Sequence, residues 1–399
     1  MKIFVPLNQI FDQSKIQCSD IIFKSASLNS KLPVIAMLIK KLLLIMAAMA
    51  LFSRLSLQAD EVIDFFPVAA RWDAAKECWQ TEIRSVVYES EVSSLRRRML
   101  LALLTQVFDL DSDQTKSELF KSRVSHFLVD HERGKNIRIH LLDEKFDVGE
   151  SAASGHTVGK IEFKLPDTEA KSISKPVWLE FTAEVSQGGG QKPEGRVQCI
   201  LPHGVTIISD VDDTIKISDV TNRMELIKNT FVRPFRAIPG MAAQYQAWEQ
   251  RGAVFHYLSA SPWQLYLPLE EFREAEGFPR GVWSMKQLRL TDRSAIDFLK
   301  SQDVYKTTQL RAIFAEFPER VFVLIGDSGE RDPEIFGALA REFPKQVLRV
   351  FIRASQTSAK DPERFTKAFD KLPPEAWHVF SKPEELADKI PIEWFTNSK

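Results

Sequence analysis

Between Thr81 and Tyr88 apolar and polar side chains nearly alternate, and a similar two-residue rhythm returns at Ile137–Leu142, Lys160–Leu165, Val177–Val185 and Arg196–Ile200. Alternation turns one face to a core and the other to water, so each stretch predicts a half-buried β-strand. Shorter strands are expected elsewhere between Val62 and Glu91, and turn-rich pieces at Gly149–Gly155 and Gln187–Gly190 separate the later ones. The set predicts an antiparallel, strand-rich, sandwich-like domain over residues 60–202.

The rhythm changes after His203. Val205–Ile208, Ala253–Leu258, Val321–Ile325 and Val347–Ile352 lack alternation, as strands buried on both faces do. Gly240–Gln250 and Thr307–Phe317 lie between them with helical patterning, as crossovers of a parallel sheet would. Residues 203–399 are therefore expected to form an α/β domain around a Rossmann-like parallel sheet. A short helical insert is expected from Ser218 to Ile238, small enough to leave a site open to a bulky or membrane-embedded substrate.

The amino end has a different pattern. Lys40 and Lys41 precede an apolar run from Leu42 to Phe52, and Ala59 closes a short polar stretch. This is the layout of a secretory signal, and the run is far shorter than the roughly 20 apolar residues that span a bilayer. The layout predicts export to the periplasm or medium, with cleavage after Ala59. It also places the working start at Met37, so residues 1–59 are set aside from the fold. A later segment, Ser94–Phe108, has three arginines ahead of a leucine-rich face. It suits either a membrane-surface helix or, the commoner use of such a face, a helix packed on its own domain.

With 399 residues, 44% of them hydrophobic and 28 of them phenylalanine, the chain can fill the cores of two domains. A formal net charge of -1 removes the electrostatic footprint of a nucleic-acid binder. Of three cysteines, Cys18 falls in the segment set aside. Cys78 and Cys199 are either one disulfide of an exported protein or two buried thiols.

The candidate chemistry sits at strand ends. Asp210, Asp212 and Thr214 follow the first apolar strand, at the edge where open parallel sheets bind ligands. If the strand geometry continues, Asp210 and Asp212 leave on the same face. A hard divalent cation would offset their repulsion and let a carboxylate approach an anionic phosphate. Oxygen-only ligands favour magnesium over zinc. Ser259 ends the second strand and can donate to a phosphate oxygen, and Lys306 opens a crossover helix and can neutralise the same group. Asp327 and Asp332 follow another buried strand, with Gly326 and Gly329 allowing close backbone approach. Singly each piece is ordinary; together, in this order, they point to phosphoryl transfer.

That combination resembles the haloacid-dehalogenase-like phosphohydrolases, whose motifs match Asp210 to Thr214, Ser259, Lys306, and Asp327 with Asp332. The resemblance implies that Asp210 attacks phosphorus to give an aspartyl phosphate. It implies that Asp212 protonates the leaving oxygen and then activates water. Magnesium would be held by Asp210, the Asp212 carbonyl and Asp327, with Asp332 secondary. A narrower likeness rests on Ser209–Ile217 (SDVDDTIKI), Asn229–Arg236 (NTFVRPFR), Phe255–Gln264 (FHYLSASPWQ), Gly326–Phe336 (GDSGERDPEIF) and Phe127–Gly134 (FLVDHERG). These look like the actin-patch-type phosphatidate phosphatases and their bacterial relatives, which leave diacylglycerol. The substrate so implied is a phospholipid, with peripheral membrane contact.

Lys216, Arg223, Lys228, Arg233 and Arg236 fit a phosphoester headgroup or balance local carboxylates, and Trp263 fits an acyl entrance or a packed core. Two rival readings are a phosphatase of soluble phosphomonoesters and a catalytically inactive binding module. The intact set of motif residues speaks against the second.

Overall fold

The computed structural model describes residues 61–89, 101–102, 105, 110–166, 175–184, 192–287, 302–354 and 361–396. The expected export signal at residues 1–59, most of the segment Ser94–Phe108 and Gln187–Gly190 lie outside them. Among the described residues no helix is long and apolar enough to cross a membrane. They belong to one compact unit, Gln58–Lys399.

The amino-terminal half is built on β1 (Glu61–Phe66), β2 (Val68–Asp73), β3 (Cys78–Glu89), β4 (Asp130–His131), β5 (Asn136–Leu141), β6 (Glu144–Glu150), β7 (His156–Phe163), β8 (Val177–Glu184) and β9 (Glu194–Ile200). Two short helices, α1 (Ser112–Lys116) and α2 (Glu118–Ser125), precede β4. The expectation of a purely antiparallel arrangement gives way to one connected nine-stranded sheet with a single parallel pairing, β2 with β9. The cause lies in β3. Its 12 residues are long enough to pair β2 at Cys78–Thr81, β1 at Arg84–Glu89, and β7 along Trp79–Val86. Pro67, which has no N–H for a ladder, separates β1 from β2. Ile83, Val87, Ile139, Leu141, Phe181 and Val197 share one core. Cys78 and Cys199 are both buried free thiols.

The second sheet contains β10 (Val205–Ser209), β11 (Val254–Pro262), β12 (Gly281–Lys286), β13 (Val321–Asp327), β14 (Val347–Arg353) and β15 (Trp377–Phe380). All neighbours are parallel, in the order β12-β11-β10-β13-β14-β15. The winding thus reverses between β10 and β13, and such a switch point opens a crevice at the strands' carboxyl ends.

Between strands run α3 (Arg223–Ile227), α4 (Met241–Gln250), α5 (Tyr266–Ala275), α6 (Gln302–Glu316) and α7 (Asp332–Glu342). Leu310 and Phe314 of α6 and Phe336 and Leu339 of α7 pack with Leu258, Leu324, Val350 and Ile352 on one face. Neighbouring residues of the same strands point the other way: Phe255 stacks on Tyr245 and Phe351 on Trp248, both from α4. Covering on both faces is what non-alternating strands require.

The sheets meet at a short linker held by Arg320. Its guanidinium donates to the carbonyls of Leu201 (2.6 Å), His203 and Val205 (2.8 Å) and to Thr206 Oγ1 (2.7 Å).

Candidate active site

β10 ends at Ser209, so the backbone leaves strand geometry before the first aspartate. Asp210 and Asp212 consequently take different partners within the protein. The Asp210 N–H donates to the Ile325 carbonyl at 2.8 Å, which ties it to β13 across the switch point. Its Oδ2 accepts from Thr214 Oγ1 at 3.1 Å, and its Oδ1 lies 2.8 Å from Lys306 Nζ.

Lys306 is buried and also lies 2.6 Å from Asp332 Oδ1 and 2.9 Å from Glu330 Oε2. Asp327, on the last residue of β13, accepts the Gly329 N–H through Oδ2. Asp332 and Asp327 each need room from a nearby glycine. A Cβ at Gly326 would stand 2.2 Å from Asp332 Oδ2, and one at Gly329 would stand 2.8 Å from Asp327 Oδ2.

Three carboxylates, Asp210, Glu330 and Asp332, therefore gather at one ammonium, and Asp327 lies near enough to feel its charge. Burial pushes the Asp210 carboxyl well above its ordinary range. Lys306 opposes that shift, while Asp332, Glu330 and Asp327 reinforce it. Asp327 is raised in the same way, by burial and then by Asp332 and Glu330. One lysine leaves most of this negative charge uncompensated when the carboxyls are ionised, and a divalent cation would offset two further charges.

The donor set fits such an ion. Oxygens of Asp210, Asp327 and Asp332 lie within 4.8 Å of one another. Asp327 Oδ1 and Asp332 Oδ2 are buried with no hydrogen-bond donor. Buried lone pairs without a donor are costly unless something binds them. The ligands are oxygens alone, the choice of magnesium or calcium.

Asp212 has its own cradle. Its Oδ1 receives Lys216 Nζ at 2.9 Å and Ser218 Oγ at 2.5 Å, and its Oδ2 receives Ser261 Oγ at 3.0 Å. Burial alone would raise its carboxyl, but the Lys216 ammonium and these donors outweigh it and hold Asp212 below the usual range. Asp213 builds the loop instead. It adopts φ 54° and accepts the N–H groups of Ser218, Asp219 and Val220.

The remaining sequence candidates divide. Ser259 is fully buried, not at the strand's end as expected but within β11, which continues through a register shift to Pro262, and its Oγ accepts the Ser261 N–H at 3.0 Å. Lys216 turns inward to Asp212, with its ammonium 4.9 Å from the Phe235 ring. Arg233 is engaged by Glu225 at 2.5 Å and Asn229 at 3.1 Å. Arg223 and Arg236 are exposed. Trp263 is buried between the sheets against Phe66, Tyr88, His131 and His156.

Glu330, Ser218 and Ser261 were not singled out from the sequence. Glu330 stands inside the acidic string 327–332, a signal that was available. Ser218 and Ser261 carry none, because ordinary serines near a motif are usually caps.

Residues 205–354 match the family model described as "Phosphatidate phosphatase APP1, catalytic domain". Two curated relatives are similar over stretches of about the same length. "Phosphatidate phosphatase APP1" of Saccharomyces cerevisiae is 35% identical over 153 residues, covering 37% of this chain and 26% of that protein. "Uncharacterized protein C29B5.04c" of Schizosaccharomyces pombe is 30% identical over 149 residues, covering 37% of this chain and 24% of that protein. The chain spans about a quarter of the length of the curated relatives it matches. The matched stretch, which is similar to a phosphatidate phosphatase catalytic domain, runs from β10 to the end of β14 and contains Asp210, Asp212, Ser259, Lys306, Asp327, Glu330 and Asp332.

Proposed function

We propose that this protein is a magnesium-dependent phosphatidate phosphatase of the haloacid-dehalogenase-like type, releasing phosphate and diacylglycerol. The observation that carries the reading is the buried cluster of Asp210, Asp327, Asp332 and Lys306 at the switch point of a stretch similar to a phosphatidate phosphatase catalytic domain.

In this reading an Asp210 carboxylate oxygen attacks phosphorus. The bond from phosphorus to the glycerol oxygen breaks, and Asp212 gives its proton to that oxygen. Water then attacks the aspartyl phosphate, gives its proton to Asp212 and frees Asp210 with inorganic phosphate. Lys216, Ser218 and Ser261 hold Asp212 as a carboxylate, the form the second step uses. A phosphate drawn beside it favours the protonated form that the first step uses. Thr214 orients Asp210, and Ser259 and Lys306 meet the phosphate oxygens. A magnesium ion held by Asp210, Asp327, Asp332 and the Asp212 carbonyl would offset the charge that a carboxylate and a phosphate bring together.

Export with cleavage after Ala59 belongs to the same proposal, and sequencing the mature amino terminus checks it. The substrate is tested by comparing phosphatidate in mixed micelles with glycerol phosphate, nucleotides and sugar phosphates. Faster turnover of the soluble esters overturns the lipid assignment. Chelation should abolish activity and magnesium restore it, whereas restoration by zinc alone contradicts an oxygen-ligand site.

A further inference from the structure

A cavity of about 490 Å³ lies between the two sheets, within the roughly 300–1,000 Å³ range of small-molecule sites. Its apolar wall is Phe66, Trp263, Trp283, Met285 and Tyr305, with Val158 beside them. Val158 is 55% exposed, the behaviour of a residue at the mouth. The charges on the β3 wall, Glu82 and Arg84, lie 3.6 Å apart and offset each other.

The cavity adjoins the candidate active site by construction of the sheet. Met285 of the edge strand β12 pairs in register with Ser259. Tyr305 is the chain neighbour of Lys306, and Trp263 lies two residues after Ser261, which holds Asp212. β12 is two strands from β10, so its carboxyl end lies on the order of 10 Å from Asp210 at about 4.8 Å per strand. A tail attached to a phosphate at Asp210 has that distance to cross before it meets aromatic and thioether side chains.

We propose that this cavity is the subsite for an acyl chain of the phosphoester, so that the amino-terminal sheet, through Phe66 and Val158, forms part of the lipid site. The proposal rests on the phosphatidate phosphatase reading for the occupant's identity. Its chemistry fits along one wall, where Phe66, Trp263, Trp283, Met285 and Tyr305 give an acyl chain apolar surface to bury, while Glu82, Arg84 and Lys286 line the polar side.

The test uses the full chain, with Met285→Trp to fill the cavity and Val158→Asp to place a charge at its mouth. kcat/KM is measured on long-chain phosphatidate in mixed micelles and on glycerol phosphate. The expected result is a loss of about tenfold or more on the lipid, since excluded methylenes cost on that scale, with glycerol phosphate turnover changed less than about twofold. A second readout does not depend on catalysis. A bromo-acyl phosphatidate, kept below its micelle threshold, should quench tryptophan fluorescence through Trp263 and Trp283, and Val158→Asp should relieve the quenching. Equal losses on both esters, no loss on either, or quenching untouched by Val158→Asp overturns the subsite. Quenching relieved by Val158→Asp in a protein that hydrolyses neither ester would support the cavity and sink the catalytic reading.

Discussion

Arg320 offers a quantitative check on how the two sheets are joined. It is buried, no carboxylate pairs with it among the described residues, and burial pushes its guanidinium down to about 9. What holds it is a set of four acceptors, Leu201 and His203 in the linker between β9 and β10 and Val205 and Thr206 at the start of β10. Arg320→Met keeps the aliphatic stem and removes every donor. Three carbonyls then lose a partner, at about 1–3 kcal/mol for each that stays buried and unpaired. Relief of the guanidinium's own desolvation, several kcal/mol for a buried ion, acts in the opposite direction. The net expectation is a loss of about 2–4 kcal/mol, at the upper end for single substitutions. Urea unfolding followed by circular dichroism should show a lower midpoint with the slope unchanged. Arg320→Lys should fall between, because an ammonium reaches fewer of the carbonyls. Gly204→Ala tests the other side of the contact. Gly204 has φ +109° and its Cβ would stand 3.3 Å from Arg320 Nη2, so a loss of about 1–3 kcal/mol is expected. An Arg320→Met protein within about 0.5 kcal/mol of the parent, the range of ordinary surface changes, would refute the idea that this residue fastens the linker.

Two further outcomes are expected. Burial, with Arg84 nearby, lowers the imidazole of His256 to about 3, and its Nε2 lies 2.8 Å from Ser284 Oγ. A folded value below the unfolded one near 6.5 means that the unfolded chain binds the extra proton. Its stabilisation is therefore full above pH 6.5 and lost as pH falls towards 3. About 2 kcal/mol should be gone by pH 5, and His256→Gln should flatten that part of the stability profile. Arg123 of α2 donates to the carbonyls of Thr230 (2.7 Å) and Arg233 (2.6 Å) and lies 3.5 Å over the Phe235 ring, which Lys216 also meets. It positions Asp212 through that ring and Lys216. Arg123→Ala should lower kcat about tenfold with KM little changed, and Arg123→Lys should recover part of the loss; unchanged kcat contradicts the role.

The strands whose pattern is strong were legible before the fold was known. β3, β8, β9 and the four apolar strands β10, β11, β13 and β14 fall where periodicity put them, within a few residues at their ends. β6 was hidden because, apart from Val148, its residues are half-buried or exposed, and its last two, Gly149 and Glu150, opened the stretch read as a turn. β12 begins with glycine and carries a serine, and β15 is only four residues long. The parallel pairing of β2 with β9 joins residues far apart in the chain, which no local pattern encodes.

At the site, the residue types and their order along the chain were readable, because pieces that are ordinary singly recur together beside apolar strands. Directions were not. Lys216 was open to a headgroup or to balancing a local carboxylate, and the turn after β10 brings it back to Asp212, the second of these. The separation of Asp210 from Asp212 likewise depends on where β10 stops, and strand ends are the least determined feature of a local pattern.

The most direct test of Asp210 as nucleophile is to trap its acyl phosphate. The protein, turning over phosphatidate with magnesium, is quenched with borohydride, which reduces an aspartyl phosphate to homoserine, and peptides are read by mass spectrometry. The account predicts reduction at Asp210, none without substrate, and none in Asp210→Asn, which should also release no phosphate. Reduction at another carboxylate, or phosphate release by Asp210→Asn at the parent rate, would contradict it.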